Sequence, residues 1–156
     1  MEAFLASVLL VAVAEIGDKT QLLSFYLAAR YRSPGAIVAG IAVATLANHA
    51  LAGVLGVWVA TLASPDVLRW ILGIAFLGCA VWALFADTLS APTGLERGRL
   101  GVFLITVVAF FIAEMGDKTQ LVTVALAAKY SSVGIVVLGT TLGMMIANVP
   151  VVFLGS

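Results

Sequence analysis

The chain consists of long apolar runs separated by short polar turns. Pro34 and Gly35 mark the first turn and Pro65 marks the second, where one helix is expected to end and the next to begin. Each run is long enough for the ~20 residues that a bilayer core requires. The pattern therefore predicts five transmembrane helices, at about residues 3–29, 36–62, 67–87, 101–128 and 133–155.

Composition supports a membrane protein. Hydrophobic residues make up 63% of the 156 residues and charged residues only 10%, whereas soluble domains are about 45–50% apolar and about 25% charged. The formal net charge is zero, which gives no electrostatic reason to expect nucleic acid as a partner. We expect a multi-pass integral membrane protein in contact with the lipid bilayer, in the plasma (inner) membrane if the cell is prokaryotic.

A sequence repeat divides the chain. Motif 1 (EIGDKTQ, residues 15–21) recurs 99 residues later as motif 2 (EMGDKTQ, residues 114–120), and the match continues without a gap as far as Gly56 and Gly155. A repeat of three helices is odd in number, so the second copy would enter the membrane from the opposite side, as in many secondary transporters. The predicted fold is an all-α integral membrane protein built as an inverted repeat of three transmembrane helices.

The repeat also predicts domain boundaries. We expect a first repeat at residues 1–89, a connecting loop at 90–100 and a second, inverted repeat at 101–156. The counterpart of the predicted helix 67–87 would lie near 166–186, beyond the last residue of this sequence. Five helices are therefore expected in this chain, with a sixth missing.

Both motifs place ionisable residues near the middle of an apolar run, where one Asp, Lys or Arg costs ~2.5–3.5 kcal/mol. On a continuous helix, Glu15, Asp18 and Lys19 would share one face. Gly17 would then allow either close packing or a local break in the helix. The predicted metal ligands are Glu15, Asp18, Glu114 and Asp117; the predicted supporting residues are Lys19, Lys118, Thr20, Thr119, Gln21 and Gln120.

The two motifs together predict a cation site. An all-oxygen set of ligands suits hard cations such as Mn²⁺, Ca²⁺ or Mg²⁺. Four carboxylates and two lysines leave a net charge of −2, which one divalent cation or two protons would neutralise. We therefore predict that protons and metal compete for one cluster. The alternative is that Glu15–Lys19 and Glu114–Lys118 are i,i+4 ion pairs that only hold helices together, which leaves Asp18 and Asp117 unexplained.

Three further polar residues fall at membrane depth, namely Asn48, His49 and Asn148. His49 corresponds to Asn148 at the repeat offset. They are predicted either to support the metal ligands or a proton relay, or to form hydrogen bonds between helices.

The paired motifs resemble the E-x-G-D-[KR]-[ST] signature of the GDT1 family of membrane cation transporters, and the resemblance covers essentially the whole chain. It implies six helices in two inverted repeats, and exchange of Mn²⁺ or Ca²⁺ for H⁺. It also implies that the glutamates and aspartates of both motifs are the cation ligands. One departure is Asn148, where the family pattern has an Asp.

The leading functional hypothesis is a divalent cation/proton antiporter that exports Mn²⁺, with the cation bound at mid-bilayer between the two motifs. The alternatives are a Ca²⁺/H⁺ exchanger and an intramembrane hydrolase. The hydrolase is disfavoured because the sequence lacks H-E-x-x-H and G-x-S-x-G motifs. We expect a secondary transporter rather than an enzyme, without a permanently bound cofactor. A homodimer is left open.

Overall fold

The computed structural model describes residues 1–82 and 98–156, and in these two segments every regular element is an α-helix. The prediction of an all-α protein is confirmed. The end of the predicted helix 67–87 and most of the predicted loop 90–100 lie outside the described residues, so the domain boundaries stay predictions. The helices are α1 (Glu2–Ala14), α2 (Lys19–Tyr31), α3 (Pro34–Leu62), α4 (Pro65–Trp82), α5 (Arg99–Glu114), α6 (Lys118–Tyr130) and α7 (Val133–Gly155).

The two predicted helices that carry the motifs are each broken in two. Gly17 has φ +78° and Gly116 has φ +72°, in the left-handed region that glycine adopts without the steric cost of a Cβ. Helices α5 and α6 are bent by 72° relative to each other at this break. The prediction of a continuous helix through either motif is therefore wrong, and the local break at the glycine is what the chain adopts.

Two helices are long and apolar enough to cross a membrane by themselves. These are α3, with 29 residues, and α7, with 23 residues; α5 and α6 make a third span if the bent pair is counted as one. Helix α1 is apolar but has only 13 residues. The described residues thus contain two to three candidate spans, and the larger number of five stays a prediction.

Helix packing follows the sequence repeat. Helix α1 packs against α7 as α5 packs against α3, and α2 contacts α7 as α6 contacts α3. A Cβ on Gly56 would lie 2.2 Å from the carbonyl oxygen of Val124, and a Cβ on Gly155 would lie 2.9 Å from that of Phe25. The two contacts are equivalent in the repeat, because Gly155 lies 99 residues after Gly56 and Val124 lies 99 residues after Phe25. Glycine therefore lets α3 approach α6 closely, and α7 approach α2 in the equivalent way. This packing brings the two motif turns together.

Candidate metal-binding site

Motif 1 forms a turn whose polar side chains satisfy its own backbone. Asp18 is the N-cap of α2, and its Oδ2 accepts a hydrogen bond from the backbone N–H of Thr20 at 3.3 Å. The Oε1 atom of Gln21 accepts a hydrogen bond from the backbone N–H of Gly17 at 2.9 Å. Because a helix start leaves backbone N–H groups without partners, these two side chains stabilise the break.

Motif 2 forms the same turn with the equivalent residues. Asp117 is the N-cap of α6 and accepts from the Thr119 backbone N–H at 3.5 Å. Gln120 Oε1 accepts from the Gly116 backbone N–H at 2.8 Å. Asp18 and Asp117 also share the same extended backbone, with ψ values of 161° and 164°. In both motifs, the Gln and Asp side chains thus accept hydrogen bonds from the backbone of the turn.

The glutamates lie at the ends of α1 and α5, each held by a threonine of its own motif. The Thr20 hydroxyl donates to Glu15 Oε2, and the Thr119 hydroxyl donates to Glu114 Oε2 at 3.1 Å. Both glutamates are fully buried. The structure therefore places both threonines where they orient the predicted ligands.

The lysines form ion pairs between the two motifs. Lys19 Nζ lies 2.8 Å from Asp117 Oδ1, and Lys118 Nζ pairs with Asp18 Oδ1. Each aspartate thus uses one oxygen for its own helix and the other for the lysine of the opposite motif. The alternative of i,i+4 pairs within each motif, Glu15 with Lys19 and Glu114 with Lys118, is wrong, because the helix breaks between the two residues and directs each lysine across the site.

The carboxylates cluster where the two turns meet. Glu15, Asp18 and Asp117 each offer an oxygen, and these oxygens lie within 4.8 Å of one another. Glu114 is not part of this triad, although it is equally buried. Among the described residues, the Oε1 atoms of Glu15 and Glu114 have no hydrogen-bond partner. Three of the four predicted ligands are thus close enough to hold one ion, and the four-carboxylate site stays a prediction.

Polar residues of α3 and α7 contact the glutamates. Asn148 Nδ2 donates to Glu15 Oε2 at 3.3 Å, and His49 Nε2 lies 3.8 Å from Glu114 Oε2. Asn48 Nδ2 instead donates to the backbone oxygen of Phe111 at 2.9 Å. The first two residues therefore reach the site, while Asn48 links α3 to α5 as an interhelical hydrogen bond.

One contacting residue was not predicted from the sequence. The Ser24 hydroxyl donates to Asn148 Oδ1 at 2.8 Å and orients this amide towards Glu15. The available signal was the repeat, because the residue 99 positions later, Thr123, also carries a hydroxyl. Thr123 instead donates to the Thr119 backbone oxygen at 2.8 Å, within its own helix.

The assembled site is suited to a hard cation in a dry environment. Its charged groups are buried, apart from Lys19, which is 20% exposed. The N-termini of α2 and α6 both begin at the cluster, and the positive ends of their dipoles stabilise carboxylates that are otherwise costly to bury. Removing either lysine or adding a cation would change the charge balance of the whole cluster.

Comparison with known proteins identifies the family. The family model described as "Divalent cation/proton antiporter GDT1" matches residues 3–91 and 102–156. No solved structure matches the chain.

Individual relatives agree with this match. A Vibrio cholerae protein named "Putative manganese exporter" is 52% identical over 157 residues, which cover 100% of this chain and 78% of that protein. "GDT1-like protein sll0615" of Synechocystis is 30% identical and covers 94% of this chain and 82% of its own length. "GDT1-like protein 4" of Oryza sativa subsp. indica is also 30% identical, and 60% of its length is covered. The chain therefore belongs to the GDT1 family of divalent cation/proton antiporters.

Proposed function

We propose that this protein exports Mn²⁺ in exchange for protons, and that the ion binds where the two motif turns meet. The observation that carries the proposal is the buried triad of Glu15, Asp18 and Asp117, with oxygens within 4.8 Å of one another. Family membership supports a transporter of divalent cations rather than a catalytic enzyme. The name of the Vibrio relative supports manganese as the ion and export as the direction of transport.

Charge balance supports one site for both ions. Four carboxylates and two lysines carry −2, and a buried site tolerates little uncompensated charge. One Mn²⁺ brings the cluster to neutrality, and so do two protons on the carboxylates. Exchange of one Mn²⁺ for two H⁺ therefore leaves the buried charge unchanged. In the proton-loaded and metal-loaded forms alike, the lysines keep the two aspartates compensated.

The repeat supplies a route for alternating access. We propose that the first repeat of three transmembrane helices and the second, which has two in this chain, are inverted relative to each other in the inner membrane of a prokaryotic cell. The support is the contact pattern, in which α1 and α2 pack against α7 as α5 and α6 pack against α3. Reciprocal ion pairs join motif 1 to motif 2 at the contact between the repeats. In transporters built from inverted repeats, movement of one repeat against the other opens one side of the site and closes the other.

Transport measurements on purified protein in liposomes test this proposal. Mn²⁺, Ca²⁺ and Mg²⁺ are added separately while internal pH and metal are followed. We expect Mn²⁺-driven proton movement that is abolished by Glu15→Gln and Asp117→Asn. The control is Asp66→Asn, since Asp66 is an exposed carboxylate on α4 and lies outside the cluster. Unchanged proton movement in both cluster variants would refute the shared site, and faster exchange of Ca²⁺ than of Mn²⁺ would favour the calcium alternative.

A further inference from the structure

The two halves of the site differ in the polar side chain that lies beside each motif glutamate. Asn148 on α7 lies beside Glu15, and its counterpart 99 residues earlier, His49 on α3, lies beside Glu114. Both side chains are fully buried. Every polar residue of motif 1 is identical in motif 2, and Ser24 and Thr123 both carry a hydroxyl, so the exchange of an amide for an imidazole is the main chemical difference between the halves.

Asn148 is fully used in hydrogen bonds. Its Nδ2 donates to Glu15 and also to the Met144 backbone oxygen at 3.2 Å, while its Oδ1 accepts from Ser24 at 2.8 Å. The hydrogen-bonding groups of the Asn148 amide are therefore satisfied by the protein itself, without any ligand.

His49 is in the opposite situation. In the part of the chain that the structure describes, neither ring nitrogen has a hydrogen-bond partner, although the side chain is 0% exposed. A buried polar atom without a partner is costly, at about 1–3 kcal/mol. Its Nε2 lies 3.8 Å from Glu114 Oε2, and Glu114 Oε1 is also without a hydrogen-bond partner there. A nitrogen donor and a carboxylate oxygen thus face the same small region.

The separation of these groups fits ligation of one ion. Ligand atoms about 2.1 Å from a metal lie about 3.0 Å apart in adjacent octahedral positions and about 4.2 Å apart in opposite ones. The 3.8 Å between His49 Nε2 and Glu114 Oε2 matches neither spacing, but it is within about 1 Å of both. Both atoms can therefore contact one cation with small adjustments of their side chains.

We propose that His49 Nε2 is a direct ligand of the transported cation, and that it makes the site select first-row transition-metal ions over Ca²⁺ and Mg²⁺. Resting on the proposed function, this inference requires the ion to contact Glu114 and His49 as well as the triad, to which neither residue belongs in this structure. It adds a nitrogen ligand to a site that sequence reasoning described as all-oxygen. Imidazole is a good ligand for transition metals, whereas Ca²⁺ and Mg²⁺ prefer oxygen ligands. A mixed set of carboxylates and one imidazole therefore keeps affinity for Mn²⁺ and lowers it for the alkaline-earth ions.

Pulsed electron paramagnetic resonance of bound Mn²⁺ tests the ligand directly. His49 is the only histidine in the sequence, so a protein of these 156 residues purified with a tag that lacks histidine has one imidazole. We expect ¹⁴N modulation from a coordinated imidazole, replaced by the ¹⁵N pattern when the protein is grown on ¹⁵N-histidine. This comparison needs no substitution and does not depend on a variant that folds.

Affinity measurements test the selectivity. In His49→Asn, which copies the residue of the other half, we expect the Mn²⁺ affinity to fall about tenfold and the Ca²⁺ affinity to stay within about twofold. The matched control is Thr45→Val, because Thr45 is buried one turn away on the same helix and its hydroxyl has no partner among the described residues. This control should leave both affinities unchanged.

The possible outcomes separate the two proposals. One outcome is that the wild type binds Mn²⁺, that Asp117→Asn abolishes this binding, and that the spectrum shows no imidazole nitrogen. The ligand role of His49 is then refuted and the proposed antiport site stands. An equal loss of Mn²⁺ and Ca²⁺ affinity in His49→Asn would make His49 a structural residue. If wild-type protein binds no Mn²⁺ at all, both proposals are overturned.

Discussion

The crossed ion pairs lead to a quantitative prediction about which residues are energetically coupled. Lys19 contacts Asp117 of the opposite motif at 2.8 Å, whereas a continuous helix would have paired it with Glu15 of its own motif. Two double-mutant cycles distinguish these arrangements. One combines Lys19→Met with Asp117→Asn, and the other combines Lys19→Met with Glu15→Gln.

The magnitude follows from burial. Breaking a buried pair by removing one partner costs about 3–5 kcal/mol, because the other charge stays buried. Asp117 is 1% exposed but Lys19 is 20% exposed, so part of this cost is relieved by solvent. We expect Lys19→Met to lower the free energy of unfolding by about 2–3 kcal/mol and the cross-motif coupling energy to be about 1–3 kcal/mol. The cycle within motif 1 should give a coupling below about 0.5 kcal/mol.

The assay is reversible unfolding in detergent micelles with a chelator present, so that bound metal does not contribute to stability. The equivalent cycle of Lys118 with Asp18 provides an internal check. Its two side chains are 8% and 0% exposed, so its coupling should be at least as large. A larger coupling of Lys19 to Glu15 than to Asp117 would refute the crossed arrangement and restore the pairs within each motif.

Four other substitutions, with two controls, test the turns, the helix packing and the asymmetry of the site. Gly17→Ala and Gly116→Ala should each destabilise the protein by about 1–2 kcal/mol in thermal unfolding, because both glycines have a positive φ. The control is Gly35→Ala, at a helical position with open space. An equal loss of stability in the control would contradict the reasoning. Gly56→Ala should destabilise by about 1–3 kcal/mol by overpacking α3 against α6. Gly73→Ala, with nothing within 4 Å, should stabilise by up to about 1 kcal/mol, and the reverse order would count against the packing. Asn148→Asp adds a negative charge beside Glu15 and removes a hydrogen-bond donor, so Mn²⁺ should raise its melting temperature more than that of the wild type; a smaller rise would show that Asn148 does not sense the site charge.

The repeat and the residue types of the motifs could be predicted from the sequence. Two helical spans at α3 and α7 followed from apolar length, and the identity of residues 15–21 and 114–120 led us to expect the two motifs to face each other. Most of the residues that meet at the cluster were among the predicted ones. These successes share a cause, since apolar length and buried charge are properties of a chain segment that do not depend on details of tertiary structure.

The helix breaks and the lysine partners were harder to predict. Helical periodicity assumes an unbroken helix, and on this assumption Glu15 and Lys19 lie on one face. The turn chemistry was nevertheless present, because Gly17 followed by Asp18 is a helix stop followed by an N-cap. Apolar residues on both sides of the motif favoured one long span and outweighed this signal. Whether a lysine pairs within its motif or across the site depends on tertiary geometry, which the sequences of two motifs with the same charged residues leave undetermined.

In the proposed ion site, the aspartates contribute more to the fold than the glutamates do. Asp18 Oδ2 caps α2 while Oδ1 pairs with Lys118, so the same carboxylate starts a helix, joins the motifs and faces the cluster. Replacement of Asp18 by Ala would remove all three contributions, whereas Asn keeps the capping oxygen and replaces the charged oxygen that pairs with Lys118 by an amide N–H₂. Glu15 follows the last residue of α1, and its Oε1 has no hydrogen-bond partner within the described segments. Changes in ion binding can therefore be attributed to charge most directly in the Glu→Gln and Asp→Asn variants, because the helix breaks that form the site stay in place.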